Sequence, residues 1–404
     1  MKDVLCSREC IELEDRYAAH NYHPLDVVVH KAEGAFVEDV EGRRYLDCLS
    51  AYSAVNQGHQ HPRIVAALLE QVQRVALTSR AFRNDRFGAC CRKLSELLGY
   101  PRVLMMNTGA EAVETAIKAM RRFGYRHKKL ADGKARILVC EGNFHGRTTT
   151  IVGFSSDEGS RRGFGPFSPG FTAVPFGDLA AAERAFGDDV VGVLVEPVQG
   201  EAGVIVPPDD FLPGLRKLCD DRGALLVCDE IQSGLGRSGS MLAHELWGVR
   251  ADGVTIGKAL SGGLYPISAF LATEAVMDVF TPGSHGSTYG GNPLACAVAE
   301  AALDVLVDED LCTRSAELGR WMLDELRRTP SPLIEEVRGI GLWFGVQLKP
   351  AAGGARQYCE RLRERGILCK ETHTHTIRIA PPLVIRRSDL EWALAEIRAV
   401  LAGA

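Results

Sequence analysis

Short apolar runs alternate with amphipathic stretches through the middle of the chain. The runs predict buried strands, because strands that are covered on both faces lack the polar alternation of half-exposed ones. These runs are Val103–Met106, Ile137–Cys140, Val190–Glu196, Leu225–Asp229 and Val254–Ile256. Apolar residues at helical spacing predict the helices Ala110–Phe123, Asp178–Phe186 and Phe211–Arg222. Strands that alternate with helices predict an α/β fold, with a mostly parallel sheet covered by helices.

The two ends of the chain have a different pattern. Towards the C-terminus, three predicted helices alternate with two predicted strands, namely Leu311–Arg328, Val337–Leu348, Ala355–Gly366, Ile377–Ala380 and Asp389–Leu401. Ser388, with Glu391 three residues later, has the pattern of a capping box at the start of the last helix. Near the N-terminus, the runs Ala35–Val40 and Arg43–Asp47 predict a hairpin around Glu41-Gly42.

The change of pattern predicts how the chain is divided into domains. We expect residues 1–52 to form an N-terminal segment that packs with the small domain. Residues 53–311 are predicted to form the large domain, and residues 312–404 a smaller C-terminal α+β domain. A chain of 404 residues is long enough for such a division.

Composition excludes several classes of protein. The chain has 47 Lys and Arg against 52 Asp and Glu, and 46 % of its residues are hydrophobic, as in an average globular protein. The net charge of −5 argues against a nucleic-acid partner bound through its phosphates. The sequence contains no apolar run of membrane-spanning length, so no membrane partner is expected. The N-terminal sequence lacks the apolar core of a signal peptide and is too acidic for a transit peptide, so we expect a cytoplasmic protein.

Two motifs suggest other kinds of site, which the surrounding sequence disfavours. The glycines of Gly234–Gly239 match G-x-G-x-x-G, but no helix signal begins there, as a dinucleotide site would require. We therefore expect a plain loop. The pairs His59 with His61 and His373 with His375 have no third ligand nearby in sequence, so no metal site is predicted.

Three local features together indicate chemistry. Asp229 ends a buried strand at the edge of the sheet where ligands usually bind. Lys258 follows another apolar strand and precedes small residues, and burial of such a lysine frees its amine as a nucleophile. The turn Asn107–Ala112 leads from a strand into a helix, whose first N–H groups can hold a phosphate. A cofactor that combines an aldehyde, a pyridine ring and a phosphate needs all three.

The chain resembles the class III, fold-type I pyridoxal-phosphate aminotransferases, and within them the ornithine δ-aminotransferase branch. The segment Asp229–Gln232 with Lys258 downstream resembles the class, and the segments around Tyr22 and Tyr52 resemble the ornithine branch. The similar segments extend over most of the chain and are His20–Val29, Ser50–Ile64, Leu77–Phe82, Asn107–Lys118, Gly142–Thr148, Glu196–Pro207, Cys228–Arg237, Gly257–Ala269, His285–Ala299 and Ile377–Ile385.

The resemblance implies pyridoxal 5′-phosphate as the cofactor. Lys258 matches the lysine that forms the Schiff base and then moves a proton as general base and acid, and Asp229 matches the carboxylate at the pyridine nitrogen. The other implied cofactor contacts are Gln232 at the phenolic oxygen, Phe144 against the ring, Thr108, Gly109 and Ala110 in the phosphate-binding turn, and Thr288 from the neighbouring subunit. The resemblance therefore also implies a homodimer or a higher homo-oligomer.

The resemblance further implies L-ornithine and 2-oxoglutarate as substrates. Arg147 matches the arginine that binds the ornithine α-carboxylate, Tyr22 the contact of its α-amino group, and Tyr52 a wall of the substrate pocket. Arg378 matches the arginine that binds the α-carboxylate of 2-oxoglutarate, and Glu201 the acid that pairs with it while ornithine is bound. The implied products are glutamate and glutamate semialdehyde, which cyclises to pyrroline-5-carboxylate, as in proline biosynthesis or arginine degradation.

One position departs from the ornithine branch, and several alternative functions stay open. His145 stands where these enzymes commonly have tryptophan, and we expect it near the edge of the cofactor. The nearest alternative is another ω-aminotransferase of the class, acting on acetylornithine or 4-aminobutyrate. A racemase or epimerase on the same scaffold would need no 2-oxo acid. A scaffold protein without activity is disfavoured, because Asp229, Gln232, Lys258 and Arg378 are all present.

Overall fold

A computed structural model describes residues 5–402 of the chain. The first four residues, on which part of the expectation about targeting peptides rests, and the last two residues of the predicted C-terminal domain lie outside the described range. The strands are β1 (Val29–Glu33), β2 (Phe36–Asp39), β3 (Arg44–Asp47), β4 (Arg102–Met106), β5 (Arg136–Cys140), β6 (Phe171–Val174), β7 (Val190–Val195), β8 (Leu225–Asp229), β9 (Gly253–Ile256), β10 (Ser268–Ala272), β11 (Ile334–Gly339), β12 (Phe344–Leu348), β13 (Ile367–Leu368), β14 (Lys370–Thr372) and β15 (Thr376–Ile379).

The helices vary from single turns to segments of 17 residues. They are α1 (Ser7–Tyr17), α2 (Ser50–Ser53), α3 (Pro62–Val72), α4 (Phe87–Leu98), α5 (Gly109–Phe123), α6 (Thr149–Gly153), α7 (Glu158–Arg161), α8 (Leu179–Ala185), α9 (Phe211–Asp221), α10 (Glu274–Met277), α11 (Pro293–Asp308), α12 (Leu311–Arg327), α13 (Arg356–Glu364) and α14 (Arg387–Leu401). In residues 5–402, no helix is both long enough and apolar enough to cross a membrane.

The central sheet has seven strands in the order β4-β10-β9-β8-β7-β5-β6. β10 runs antiparallel to both of its neighbours, and the other six strands share one direction. Successive residues of β7 pack into different cores on the two faces, Val193 and Val195 into one and Leu194 into the other. This two-sided burial is the reason for the continuous apolar runs, and it confirms the predicted α/β fold with a mostly parallel sheet.

Two smaller sheets are built from the ends of the chain. β11-β12-β15-β14 is antiparallel, and β1-β2-β3-β13 joins N-terminal and C-terminal strands. The predicted hairpin is confirmed, with Phe36 of β2 paired to Leu46 of β3. β3 also pairs in parallel with β13, which links the N-terminal segment to the C-terminal part through backbone hydrogen bonds. The division into three domains stays a prediction.

Two predicted elements are wrong in detail. The single strand expected over Val337–Leu348 is a hairpin, β11 and β12, which turns between Gly339 and Phe344. Ser388 does not cap the last helix, because α14 begins at Arg387 after Arg386 and has no side-chain cap. Glu391 instead accepts a hydrogen bond from Arg387, at 2.9 Å between Oε1 and Nε, so it is not turned back towards the helix start. The expected loop at Gly234–Gly239 is confirmed as a series of turns.

The short turn α2 has an unusual backbone. Its four residues Ser50, Ala51, Tyr52 and Ser53 have φ angles of 52°, 45°, 59° and 76°, in the left-handed region that side chains disfavour. The Asp47 carboxylate accepts the N–H group of Ser50 at 2.9 Å, and the Ser50 hydroxyl donates to the carbonyl of residue 380 at 2.6 Å. The first contact ties the turn to the end of β3, and the second holds it against the end of β15 in the C-terminal sheet.

Candidate active site

Six of the eight residues predicted to bind the cofactor meet at one edge of the central sheet. β4, β5, β7, β8 and β9 all end there, because parallel strands have their carboxyl ends at the same edge. The segments that follow these strands enclose a cavity of about 200 Å³. It is lined by Gly109, Ala110, Phe144, His145, Gly146, Glu196, Val198, Asp229, Ile231, Gln232, Ser233 and Lys258.

Lys258 enters the cavity from the short 3₁₀ turn Lys258–Ser261 that follows β9. Burial lowers the pKa of its ammonium, and the charge of Arg378 lowers it further, against the opposing charges of Glu201 and Asp229. A lowered pKa leaves more of the amine in its neutral, nucleophilic form at neutral pH.

Asp229 is held rigidly at the end of β8. Its Oδ1 accepts hydrogen bonds from the hydroxyl of Thr255 on β9, at 2.9 Å, and from the N–H of Ile231, at 3.1 Å. Its Oδ2 lies 2.6 Å from Nδ1 of His145. The Asp229 residue is 4 % exposed, so the cavity contains a buried carboxylate with a fixed orientation.

The turn before α5 is built to bind an anion. Thr108 caps the helix by accepting the N–H of Glu111, whose side chain accepts the N–H of Thr108 in return. The N–H groups of Gly109 and Ala110 stand in the first helical turn, where no intrahelical acceptor exists. Gly146, with a φ of 129°, approaches so closely that a Cβ there would lie 2.9 Å from the Cβ of Ala110.

A second group of predicted residues lies close to Lys258. Nη1 of Arg378 donates to Oε1 of Glu201 at 2.6 Å, and the guanidinium lies 4.8 Å from the ring centre of Tyr52. Arg378 is 1 % exposed. Burial raises the pKa of Glu201, but the charges of Arg378 and Lys258 outweigh this effect and lower it overall. Burial raises the pKa of the Tyr52 hydroxyl.

Four predicted residues, one of which is the exposed helix cap Thr108, lie outside both the cofactor cavity and the group around Arg378. Arg147 is exposed, 5.7 Å from the ring centre of Phe144, and lines an adjoining cavity of about 320 Å³ together with Glu201. Tyr22 is 76 % exposed, and Thr288 is also exposed. A single chain therefore brings together the residues predicted at the cofactor ring and leaves Tyr22 and Thr288 at its surface.

Sequence reasoning missed two residues of this site. Glu196 follows β7, and its Oε2 accepts the N–H of Phe144 at 3.0 Å. Burial raises the pKa of Glu196 to about 7, with a further contribution from Asp229. The second missed residue is Thr255, which the sequence places in the strand Val254–Ile256 without indicating its hydrogen bond to Asp229. Glu196 could have been found by the signal that identified Asp229, since both are acids at the end of an apolar run.

The donor set of the cavity fits pyridoxal phosphate. The cavity contains an amine of lowered pKa, a fixed carboxylate, an aromatic side chain and the free N–H groups of a helix N-terminus. Residues 17–401 match the family described as "Aminotransferase class-III", and the chain belongs to that family. Enzymes of the family depend on pyridoxal phosphate. The family, the cofactor and the enzyme class predicted from the sequence are thus confirmed.

Ornithine and acetylornithine aminotransferases are among the proteins similar to this chain. An ornithine aminotransferase of Bordetella pertussis is 56 % identical over 390 residues, which are 96 % of this chain and 95 % of that protein. The crystal structure of the ornithine aminotransferase from Toxoplasma gondii ME49 has a TM-score of 0.97 and 42 % identity, and covers 99 % of this chain and 96 % of its own. The acetylornithine aminotransferase of Elizabethkingia anophelis has a TM-score of 0.89 and 45 % identity, with coverage of 98 % and 99 %.

Proposed function

We propose that the chain transfers the δ-amino group of L-ornithine to 2-oxoglutarate, giving glutamate and glutamate semialdehyde, which cyclises to pyrroline-5-carboxylate. The observation that carries this proposal is the ion pair between the buried Arg378 and the half-buried Glu201, beside Lys258. The names and identities of the relatives support the same reaction.

The ion pair suits two substrates that differ in charge near the reacting carbon. The δ-carbon of ornithine carries no carboxylate, so a bare guanidinium beside it would be a buried and uncompensated charge. Glu201 removes that problem by pairing with Arg378. In 2-oxoglutarate the reacting carbon is bonded to a carboxylate, which can take the place of Glu201 on the arginine as a charge-assisted partner.

The cavity residues supply the rest of the chemistry. Pyridoxal phosphate, when bound, supplies an aldehyde and an electron-withdrawing ring that makes the substrate carbon acidic. Lys258 would hold the cofactor covalently and move the proton at the substrate carbon. Asp229 would accept the N–H of the pyridine ring. The remaining contacts would come from Gly109, Ala110 and Thr108 at the phosphate, Phe144 at the ring face and Gln232 at the phenolic oxygen.

The distal end of ornithine would be bound in the adjoining cavity. We propose that Arg147 binds the α-carboxylate there, since its exposed guanidinium offers two parallel donors. Tyr22 would contact the α-amino group and Tyr52 would form a wall of the pocket. These contacts would direct the δ-amine, rather than the α-amine, towards Lys258.

We further propose that the protein functions as a homodimer or a higher homo-oligomer. Thr288 is exposed and lies outside the cavity of its own chain, so it is available to a neighbouring subunit. Its neighbour Ser287 accepts a hydrogen bond from Asn107, in the turn before α5, at 2.9 Å. The large apolar side chains of Phe82 and Tyr289 are 72 % and 50 % exposed, as expected for a surface that a partner covers.

Acetylornithine is the second candidate donor, favoured by the 45 % identity to the Elizabethkingia anophelis enzyme. To test the proposal, the purified protein is incubated with L-ornithine and 2-oxoglutarate, and pyrroline-5-carboxylate is trapped with o-aminobenzaldehyde. N-acetylornithine and 4-aminobutyrate are run in parallel, with glutamate as the common readout. We expect ornithine to be the preferred donor and product to depend on 2-oxoglutarate, which a racemase would not need.

Two variants complete this test. Lys258→Ala should abolish turnover, whereas Lys217→Ala, at an exposed lysine paired with Asp221, should retain it. Ornithine turnover by Lys258→Ala would contradict the assignment of the catalytic lysine. Preference for another donor would contradict the assignment of the substrate and leave the aminotransferase chemistry in place.

A further inference from the structure

His145 is buried against Asp229, and the proposed mechanism assigns it no role. It follows Phe144 in the loop after β5, and its Nδ1 lies 2.6 Å from Oδ2 of Asp229 at the end of β8. The two side chains are 0 % and 3 % exposed. Nε2 of His145 is buried without a hydrogen-bond partner among residues 5–402. The contact with Asp229 is therefore the polar interaction that orients the imidazole.

The hydrogen bonds of Asp229 decide which of its oxygens can serve the cofactor. Each carboxylate oxygen accepts about two hydrogen bonds. Oδ1 already accepts from Thr255 and Ile231. Oδ2 accepts from His145 and has one site left. The oxygen available to a pyridine N–H is thus the one that His145 holds.

The surroundings of His145 also favour a positive charge on it. Burial lowers the pKa of His145, but the hydrogen bond and charge of Asp229 and the charge of Glu196 outweigh it and raise the pKa overall. The ring of Phe154, with its centre 6.0 Å from the centre of the imidazole, is apolar. A cationic imidazole makes the hydrogen bond to Asp229 charge-assisted, so it holds Oδ2 more firmly than a neutral donor would.

We propose that His145 is a positioning residue, which acts through Asp229 to fix the carboxylate oxygen that binds the pyridine nitrogen of the cofactor. The proposal rests on the role proposed above for Asp229. It gives a physical reason for histidine at the position where the ornithine branch commonly has tryptophan. An indole N–H is uncharged at every pH, so it could not add a positive charge beside the carboxylate.

Two variants separate the parts of this role. His145→Phe removes the donor and the charge. His145→Asn places an amide N–H near the position of Nδ1, so it keeps the donor and removes the charge. The matched controls are His244→Phe and His244→Asn, because Nδ1 of the buried His244 lies 2.8 Å from Oε1 of the buried Glu230, and neither residue lines the cofactor cavity.

The readout is the affinity of each apoprotein for two cofactors, followed by tryptophan fluorescence. One is pyridoxal phosphate, and the other is its 1-deaza analogue, in which carbon replaces the ring nitrogen. For His145→Phe we expect the dissociation constant of pyridoxal phosphate to rise about ten- to hundredfold, as loss of a hydrogen bond to a charged group predicts. The affinity for the analogue should be unchanged. His145→Asn should recover only part of the lost affinity, because it restores the donor without the charge, and the His244 variants should affect both cofactors equally or not at all.

The possible results are distinct. An equal loss for both cofactors in His145→Phe, or no loss for either, would overturn the role of His145. If His145→Phe does not fold, His145→Gln replaces it, since the amide of Gln lies near the position of Nε2 and no longer meets Oδ2. Failure of the unmodified protein to bind pyridoxal phosphate, or to transfer an amino group from ornithine, would instead refute the proposed function.

Discussion

The ion pair between Arg378 and Glu201 allows a quantitative prediction for Glu201→Gln. The substitution keeps a hydrogen-bond acceptor for Arg378 and removes the negative charge. A hydrogen bond to a charged group contributes about 1.5–3 kcal/mol, and a charge-assisted bond is about twice as strong as a neutral one. Residue 201 and the substrate carboxylate compete for Arg378. Because the contact between Glu201 and the buried arginine is 2.6 Å long, the substitution should weaken it by about 1 kcal/mol.

The two half-reactions should respond in opposite directions. We expect kcat/KM for 2-oxoglutarate to rise about fivefold, because its carboxylate no longer displaces a charged partner. We expect kcat/KM for ornithine to fall, because the positive charge of Arg378 beside the δ-carbon has no anionic partner in this variant. Stopped-flow absorbance of the bound cofactor measures each half-reaction separately.

A control and a contrary result make this prediction refutable. Glu325→Gln removes the same charge from a carboxylate that lies 2.8 Å from Arg398 on the surface of the C-terminal part, and should change neither half-reaction. If Glu201→Gln changed kcat/KM of both half-reactions by the same factor, or raised kcat/KM for ornithine, the ion pair would not discriminate between the substrates.

Three further predictions concern stability. Glu196 has a pKa raised from 4.5 to about 7, so the stability it contributes is present below pH 4.5 and lost as the pH rises through about 7. In calorimetry of the apoprotein, Glu196→Gln should therefore have a higher Tm than the unmodified protein at about pH 8 and an equal Tm at pH 4.5. A gain in Tm that is independent of pH would contradict this reasoning. Thr108→Ala should lower the free energy of unfolding in urea by about 1 kcal/mol through loss of the helix cap, and Thr108→Ser should not. Gly192→Ala would place a Cβ 2.5 Å from the carbonyl oxygen of Leu225 and should cost about 1–3 kcal/mol of stability, whereas Gly88→Ala, with nothing within 4 Å, should cost none.

Five of the seven strands of the central sheet could be predicted because their signal is local, whereas β6 and β10 were missed. Each buried strand is a short apolar run, and the predicted runs agree with the strands to within one residue. The hairpin of β11 and β12 could not be separated, because apolar residues continue through the turn near Gly341. The start of α14 was misplaced because Ser388 and Glu391 fit a capping box in sequence, and the pairing of Arg387 with Glu391 decides otherwise.

The sequence predicts those site residues that lie at the ends of strands. Lys258, Asp229 and the turn before α5 follow apolar runs, and the parallel sheet gathers them at one edge. Contacts between distant segments carry no such signal. Glu201 and Arg378 are separated by 177 positions and were connected only through the family resemblance. The contact of His145 with Asp229, over 84 positions, depends on the conformation of the loop after β5.

The left-handed turn α2 has a consequence for exchanging parts between related proteins. Tyr52 stands on a backbone that its own residues disfavour, by roughly 1–2 kcal/mol for each residue. The contacts that hold this backbone include one from Ser50 to the carbonyl of a residue 330 positions away. The acceptor is a backbone carbonyl, so a chimaera that took only the N-terminal segment from a homologue would keep this support only if its C-terminal part placed the carbonyl of residue 380 in the same position. Altering the shape of this pocket by segment swapping therefore depends on the backbone after β15 as well as on the segment that carries Tyr52.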